Sequence, residues 1–139
     1  MNEIILDTNV LISGLLSAKN APGRIVDALR MGGIRLIVDD RILSEYRTVL
    51  RRPNFERYIK AMEREWMIEF LNIDSRMAVC DRVFDDLPDP QDACFLEVAF
   101  TAGLPLVTGN AKHFPSEKCR GVKVLTPAEF VGRNLVSWK

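Results

Sequence analysis

Asp7 ends a run of three apolar residues, Ile4, Ile5 and Leu6. An apolar run without period-two alternation suits a strand buried on both faces, as in a parallel sheet. In open α/β sheets function gathers outside the carboxyl ends of the strands, and Asp7 stands at such an end. The plain alternative is that Asp7 caps the helix starting near Val10, or orders its turn. Asp92 is the second carboxylate of interest. At about 100° per residue it falls in the apolar stripe of Leu96 and Ala99, where an ionised group needs a counter-charge. Its alternative role is a favourable first-turn interaction with the helix dipole. Asp89 is better explained as an N-cap before Pro90 at the first helical position, so Asp92 precedes it as a ligand. Glu45 borders the buried face formed by Ile42 and Val49. A surface pair with Arg41, four residues earlier, is its alternative, worth only tenths of a kcal/mol.

Taken together, three carboxylates from three elements say more than each does separately. His113 is the only histidine, and Cys80, Cys94 and Cys119 lie far apart with no C-x-x-C pair. Histidine-rich zinc sites and chemistry needing two histidines are thereby excluded. Three cysteines without ligand spacing read as reduced thiols packed as small apolar residues in a cytoplasmic protein. Oxygen-only ligands suit Mg2+ or Mn2+, ions that activate water and neutralise charge in phosphoryl displacement. The pattern points to a metal-dependent phosphodiester or phosphate enzyme, and by itself no further.

The elements that must position these groups follow from periodicity. Strand-like runs at 3–6, 34–38, 77–80, 106–108 and 122–125 alternate with helical patterns at 22–31, 41–52, 57–71 and 92–102. Thr126, Pro127 and Glu129 start a last helix with a hydroxyl cap, a first-turn proline and a reciprocal glutamate. Such alternation predicts an α/β fold with a parallel sheet joined by right-handed crossovers. The two successive helices within 41–71 would form an arm on one side of it.

The 139 residues suffice for one domain, 1–139, with one sizeable core. Neither repeat nor linker interrupts them. The formal net charge is zero, so polyanion binding must come from a local patch rather than a global field. The apolar stretch 4–18 lacks a basic leader, follows Glu3 and is broken by Asp7, which argues against a signal peptide. No stretch approaches the roughly 20 apolar residues of a membrane span.

At this point the motifs become recognisable as a set. Ile5-Leu6-Asp7-Thr8-Asn9-Val10-Leu11 resembles the opening motif of PIN-domain nucleases. Leu43-Ser44-Glu45-Tyr46, with Val49-Leu50 and Arg52-Pro53, is similar to their second motif. Asp89-Pro90-Gln91-Asp92 with Phe95, Leu96 and Ala99 resembles the third. Val107-Thr108-Gly109-Asn110, His113-Phe114 and Leu125-Thr126-Pro127-Ala128-Glu129-Phe130 resemble the closing region. The resemblance spans nearly the whole chain and is closest to the bacterial group described as toxin components of toxin–antitoxin pairs, related to VapC-type toxins.

What the resemblance implies is specific. The fold would be a three-layer sandwich, a five-stranded parallel sheet flanked by helices. An acidic pocket would hold one or two divalent ions, Mg2+ or Mn2+, and the activity would be endonucleolytic cleavage of RNA. Asp7, Glu45 and Asp92 would be the ligands, with Asp89 a weaker one. Thr8 or Asn9 would steady the Asp7 carboxylate, and Thr108 would support the pocket or contact phosphate. A cognate antitoxin and a homodimer are the implied partners. The chain departs from the pattern at Asn110, where many members carry an aspartate, and at His113, where others offer a second acid. Asn110 keeps a carbonyl oxygen as a weaker ligand but removes one negative charge, so a second metal would be held less well.

Basic residues concentrate at Arg41, Arg47, Arg51, Arg52, Arg57, Lys60 and Arg64. Most suit a solvated helical face. Arg51 and Arg52, before Pro53, are the expected phosphate contacts, with Tyr58 and Trp66 nearby either to stack bases or to pack between helices. Two other readings compete. A phosphatase of the haloacid-dehalogenase type needs a second aspartate two residues after Asp7, where Asn9 stands, and no phosphate-binding P-loop occurs. A catalytically weakened PIN module binding RNA or a protein partner is the alternative from another class, with Asn110 as its mark.

Overall fold

The apolar run that opens the chain becomes β1 (Asn2–Leu6), the central strand of a five-stranded parallel sheet. The computed structural model describes residues 2–134. Met1 and residues 135–139, the two ends of the expected domain, lie outside the described residues. The other strands are β2 (Ile34–Val38), β3 (Arg76–Met77), β4 (Leu106–Val107) and β5 (Val124–Leu125), in the order β3-β2-β1-β4-β5. Ile4, Ile5 and Leu6 are all buried although successive side chains point to opposite faces. Both faces of the sheet are therefore covered, which makes the protein a three-layer α/β sandwich.

The covering helices are α1 (Thr8–Leu16), α2 (Ala21–Arg30), α3 (Asp40–Leu50), α4 (Ala61–Asp74), α5 (Ala93–Ala102) and α6 (Pro127–Asn134). α5 packs on β1, β2 and β4, while α3 and α4 pack on β2 and on each other as the expected arm. α2 packs on β2 and carries α1 and α6 against it. Close approach of α1 and α2 depends on Gly14, where a Cβ would lie 2.4 Å from Val26 Cγ2 and 2.5 Å from the Pro22 carbonyl oxygen. α5 stops at Gly103, whose φ of 68° is a left-handed conformation open to glycine at little cost. The reciprocal cap of α6 forms as expected. Glu129 N–H donates to Thr126 Oγ1 at 3.1 Å, and Thr126 N–H donates to Glu129 Oε1 at 2.9 Å.

Besides β5, which covers only Val124–Leu125 of the run expected over 122–125, two elements differ from the periodicity. The helix expected over 57–71 begins only at Ala61, because the N–H groups of Tyr58 and Ile59 both turn back to the Phe55 carbonyl. Ile59 is buried from that turn rather than from a helix. The strand expected over 77–80 is only Arg76–Met77, an exposed edge with one neighbour, β2. Beyond it the Ala78 N–H still donates to Val38, but Val79 is 90% exposed. With no second strand to pair and no layer to cover it, its apolar composition alone does not extend the ladder.

The three cysteines are free, with Cys119 buried and Cys80 and Cys94 partly so. Among the described residues no helix is long and apolar enough to cross a membrane.

Candidate active site

The order of strands decides where a site can form. The chain runs outward from β1 through β2 to β3, then returns to lay β4 and β5 on the other side. The carboxyl ends of β1 and β4 thus flank a topological switch point, where open α/β sheets bind ligands. Asp7 follows β1 and Thr108 follows β4. A pocket of about 170 Å³ opens there, lined by Asp7, Thr8, Asn9, Glu45, Val49, Arg52, Asp89, Gln91, Asp92, Asn110 and His113. β1, the first turn of α1, the middle of α3, the turn before α5 and the loop after β4 all contribute.

Asp7, Thr8, Glu97 and Thr108 are the buried polar residues among those described, and all but Glu97 belong to this constellation. Asp7 does not cap α1 with its side chain. Its Oδ2 instead accepts a 2.6 Å hydrogen bond from Thr108 Oγ1, which itself accepts from the Asn110 N–H at 3.1 Å. One hydroxyl therefore joins the end of β1 to the loop after β4. Thr8, expected beside Asp7, donates its hydroxyl to Glu45 instead. The surface pair of Glu45 with Arg41 is absent. Arg41 turns to Asp39 and Glu97, each at 2.7 Å. Asp89 is the cap its sequence suggests, its Oδ1 accepting from Gln91 N–H at 3.0 Å.

Charge in the pocket is costly in the absence of a cation. Burial raises the Asp7 pKa, outweighing the Thr108 hydrogen bond and the nearby Asn9 and Thr8 amides. Asp92 is pushed up to about 6 by burial and by the negative charges of Asp7 and Asp89, with His113 opposing. His113 Nδ1 stands 3.2 Å from Asp92 Oδ2. That separation suits a charge interaction, yet no aligned hydrogen bond satisfies the buried oxygen.

A buried, unsatisfied carboxylate oxygen beside a second buried carboxylate is what a hard cation would relieve, and an all-oxygen donor set fits Mg2+ or Mn2+. Among the described residues, however, no group of three histidine, cysteine or carboxylate side chains stands close enough to enclose an ion.

Residues 3–112 match the family model described as a PIN domain. The chain belongs to the PIN-domain family. The match runs from β1 through the loop after β4 and so takes in every residue lining the pocket except His113. The chain is also similar to a protein of Methanocaldococcus jannaschii, the uncharacterized protein MJ1680. The two are 26% identical over 141 residues, which cover 93% of this chain and 89% of that one. PIN domains are generally nucleases and typically use divalent metal ions.

Of the two arginines expected at phosphate, only Arg52 lines the pocket of this PIN domain. Arg51 turns away to Glu65, held at 2.6 and 3.1 Å. Tyr58 is exposed, and Trp66 lies half exposed, stacked on Phe70 at 5.2 Å. Sequence reasoning passed over two residues. Glu97, the one charge in an otherwise apolar α5, binds Arg41 and accepts from Phe84 N–H at 2.9 Å, fixing the segment that leads to Asp89. From the sequence Tyr46 stands only as a member of the second family motif, with no role of its own. Its hydroxyl in fact donates to the Leu6 carbonyl beside Asp7, at 2.5 Å.

Proposed function

We propose that this protein is a metal-dependent endoribonuclease in which Asp7, Glu45 and Asp92 hold Mg2+ or Mn2+, within a single PIN domain over 1–139. The observation that carries the reading is the buried Asp7 facing an unsatisfied Asp92 at the switch point of the sheet. Folding tolerates such an arrangement only where something offsets its cost. Asp7 is the central ligand, and Asn110 and Asp89 are weaker ones. When bound, the ion supplies charge neutralisation and Lewis acidity at a phosphodiester.

The chain's own residues do the rest. The Thr108 hydroxyl fixes one Asp7 oxygen. Thr8 fixes Glu45 in the same way. Arg52, with no carboxylate partner among the described residues, is a cation at the rim that can take a substrate phosphate. Water adds to phosphorus, one P–O bond breaks, and an alcohol and a phosphomonoester leave. The toxin role, a cognate antitoxin, a homodimer and a cytoplasmic location belong to the same proposal and rest on the family resemblance.

The test is cleavage of mixed RNAs with Mg2+ or Mn2+, comparing wild type with Asp7→Asn. Wild type should cut, and the variant should lose more than the roughly 10–100-fold typical of losing an outer-shell partner. Activity that survives the substitution refutes the assignment. A second reading, a catalytically weakened PIN module binding RNA or a protein, is favoured by Asn110 and by carboxylates that do not converge unaided. Millimolar Mn2+ separates the two, because an ion bound to the folded state raises the melting temperature. The weakened module shows no such rise.

A further inference from the structure

Between α3 and the end of β1 lies a hydrogen bond whose position explains more than local packing. Residues alternate sides along a parallel strand. The N–H groups of Ile5 and Asp7 donate to Pro105 and Val107 on the β4 side, so Leu6 turns its carbonyl towards β2. The β1–β2 register, however, runs only from Asn2↔Ile34 to Ile4↔Leu36. β2 continues to Val38 in company with β3, and the two central strands part before Leu6. The Leu6 carbonyl is buried at that parting, where an unpaired backbone acceptor is costly. The Tyr46 hydroxyl fills the place of the missing ladder donor at 2.5 Å, from a ring that is only 1% exposed.

Tyr46 neighbours Glu45, and Leu6 neighbours Asp7. We propose that Tyr46 is a positioning residue of the metal site, its hydroxyl fixing the distance between the Asp7 and Glu45 carboxylates by tying α3 to the end of β1. The inference rests on the metal-site reading above. Among the described residues no other hydrogen bond from α3 reaches the β1 backbone. The Thr8–Glu45 bond acts between side chains and leaves the β1 backbone untouched. Without the tyrosine hydroxyl, α3 keeps its apolar contacts and the Thr8–Glu45 bond but loses its direct tie to the β1 backbone.

The experiment is Tyr46→Phe, which keeps the buried ring, with folding checked by circular dichroism. Mn2+ affinity is read by electron paramagnetic resonance, and kcat and KM for RNA cleavage by steady-state assay. The expected result is a Mn2+ Kd raised roughly tenfold, the scale of losing an outer-shell partner, with kcat falling more than KM rises. Ile68→Val, a core substitution on α4, is the control for a purely structural effect and should lower thermal stability while leaving the Mn2+ Kd unchanged. A Tyr46→Phe protein that binds Mn2+ as tightly as wild type overturns the proposal while the metal site stands. Equal loss of affinity in Ile68→Val overturns it too. A wild type that binds no Mn2+ removes the metal-site reading and this proposal together.

Discussion

Replacing Asp92 by asparagine should make the metal-free protein more stable at neutral pH and the metal-loaded protein less so. The Asp92 carboxyl is pushed from 3.8 to about 6 by burial and by Asp7 and Asp89. A folded-state pKa above the unfolded one means that the folded chain binds the proton more tightly. Stability from this group therefore falls as pH rises from about 4 to about 6, and the penalty is complete above that. The interval converts to about 3 kcal/mol. The side chain is 16% exposed, and solvent screening leaves roughly 1–2 kcal/mol of that.

For a chain of 139 residues that corresponds to a melting temperature raised by about 5 °C. Asparagine keeps the shape and loses the charge. The assay is thermal denaturation of both proteins at pH 7.5 and pH 4.5, in chelator and in millimolar Mn2+. In chelator the variant should melt higher at pH 7.5, and the gap should narrow to about a third at pH 4.5. Mn2+ at a hundred times its Kd stabilises the folded wild type by about 2.7 kcal/mol, enough to invert the order. A variant that melts lower in chelator at pH 7.5, or a gap indifferent to pH, would refute the account of a strained carboxylate.

Thr108→Val removes the donor to Asp7 and the acceptor of the Asn110 N–H together. Urea denaturation should register a loss of about 1–3 kcal/mol, and isothermal titration a Mn2+ affinity lowered about tenfold. Arg52→Ala should weaken RNA binding and reduce the slope of log K against log salt by about one, measured by fluorescence anisotropy. Arg51→Ala should leave that slope unchanged, since Glu65 already occupies its guanidinium.

The sheet was legible because its strands are plain. Consecutive apolar residues at 4–6 and 36–38 can be accommodated only when both faces are covered, and the helices between them declared a crossover topology. Asp7 was legible for the same reason, as a charge at the end of a strand that had no exposed face. The caps at Asp89 and Thr126 were legible because their hydrogen bonds are local, closing within three residues. The start of α4 and the length of β3 were not. Both turn on whether a neighbour is present to cover or pair an apolar residue, and periodicity is silent on neighbours.

The candidate site divides along the same line. Residue types and order determined the oxygen-only donor set, the family motifs and the departure at Asn110. Only the tertiary structure decided which hydroxyl serves which carboxylate. Thr8 adjoins Asp7 in sequence yet binds Glu45, whereas Thr108 lies 101 residues away and binds Asp7. It also separated Arg51 from Arg52, and gave the Tyr46 hydroxyl its partner in the Leu6 carbonyl. The physical reason is that a side-chain hydrogen bond depends on direction and a distance of about 3 Å. Those are set by where strands part and how helices lean on them, after the chain has folded.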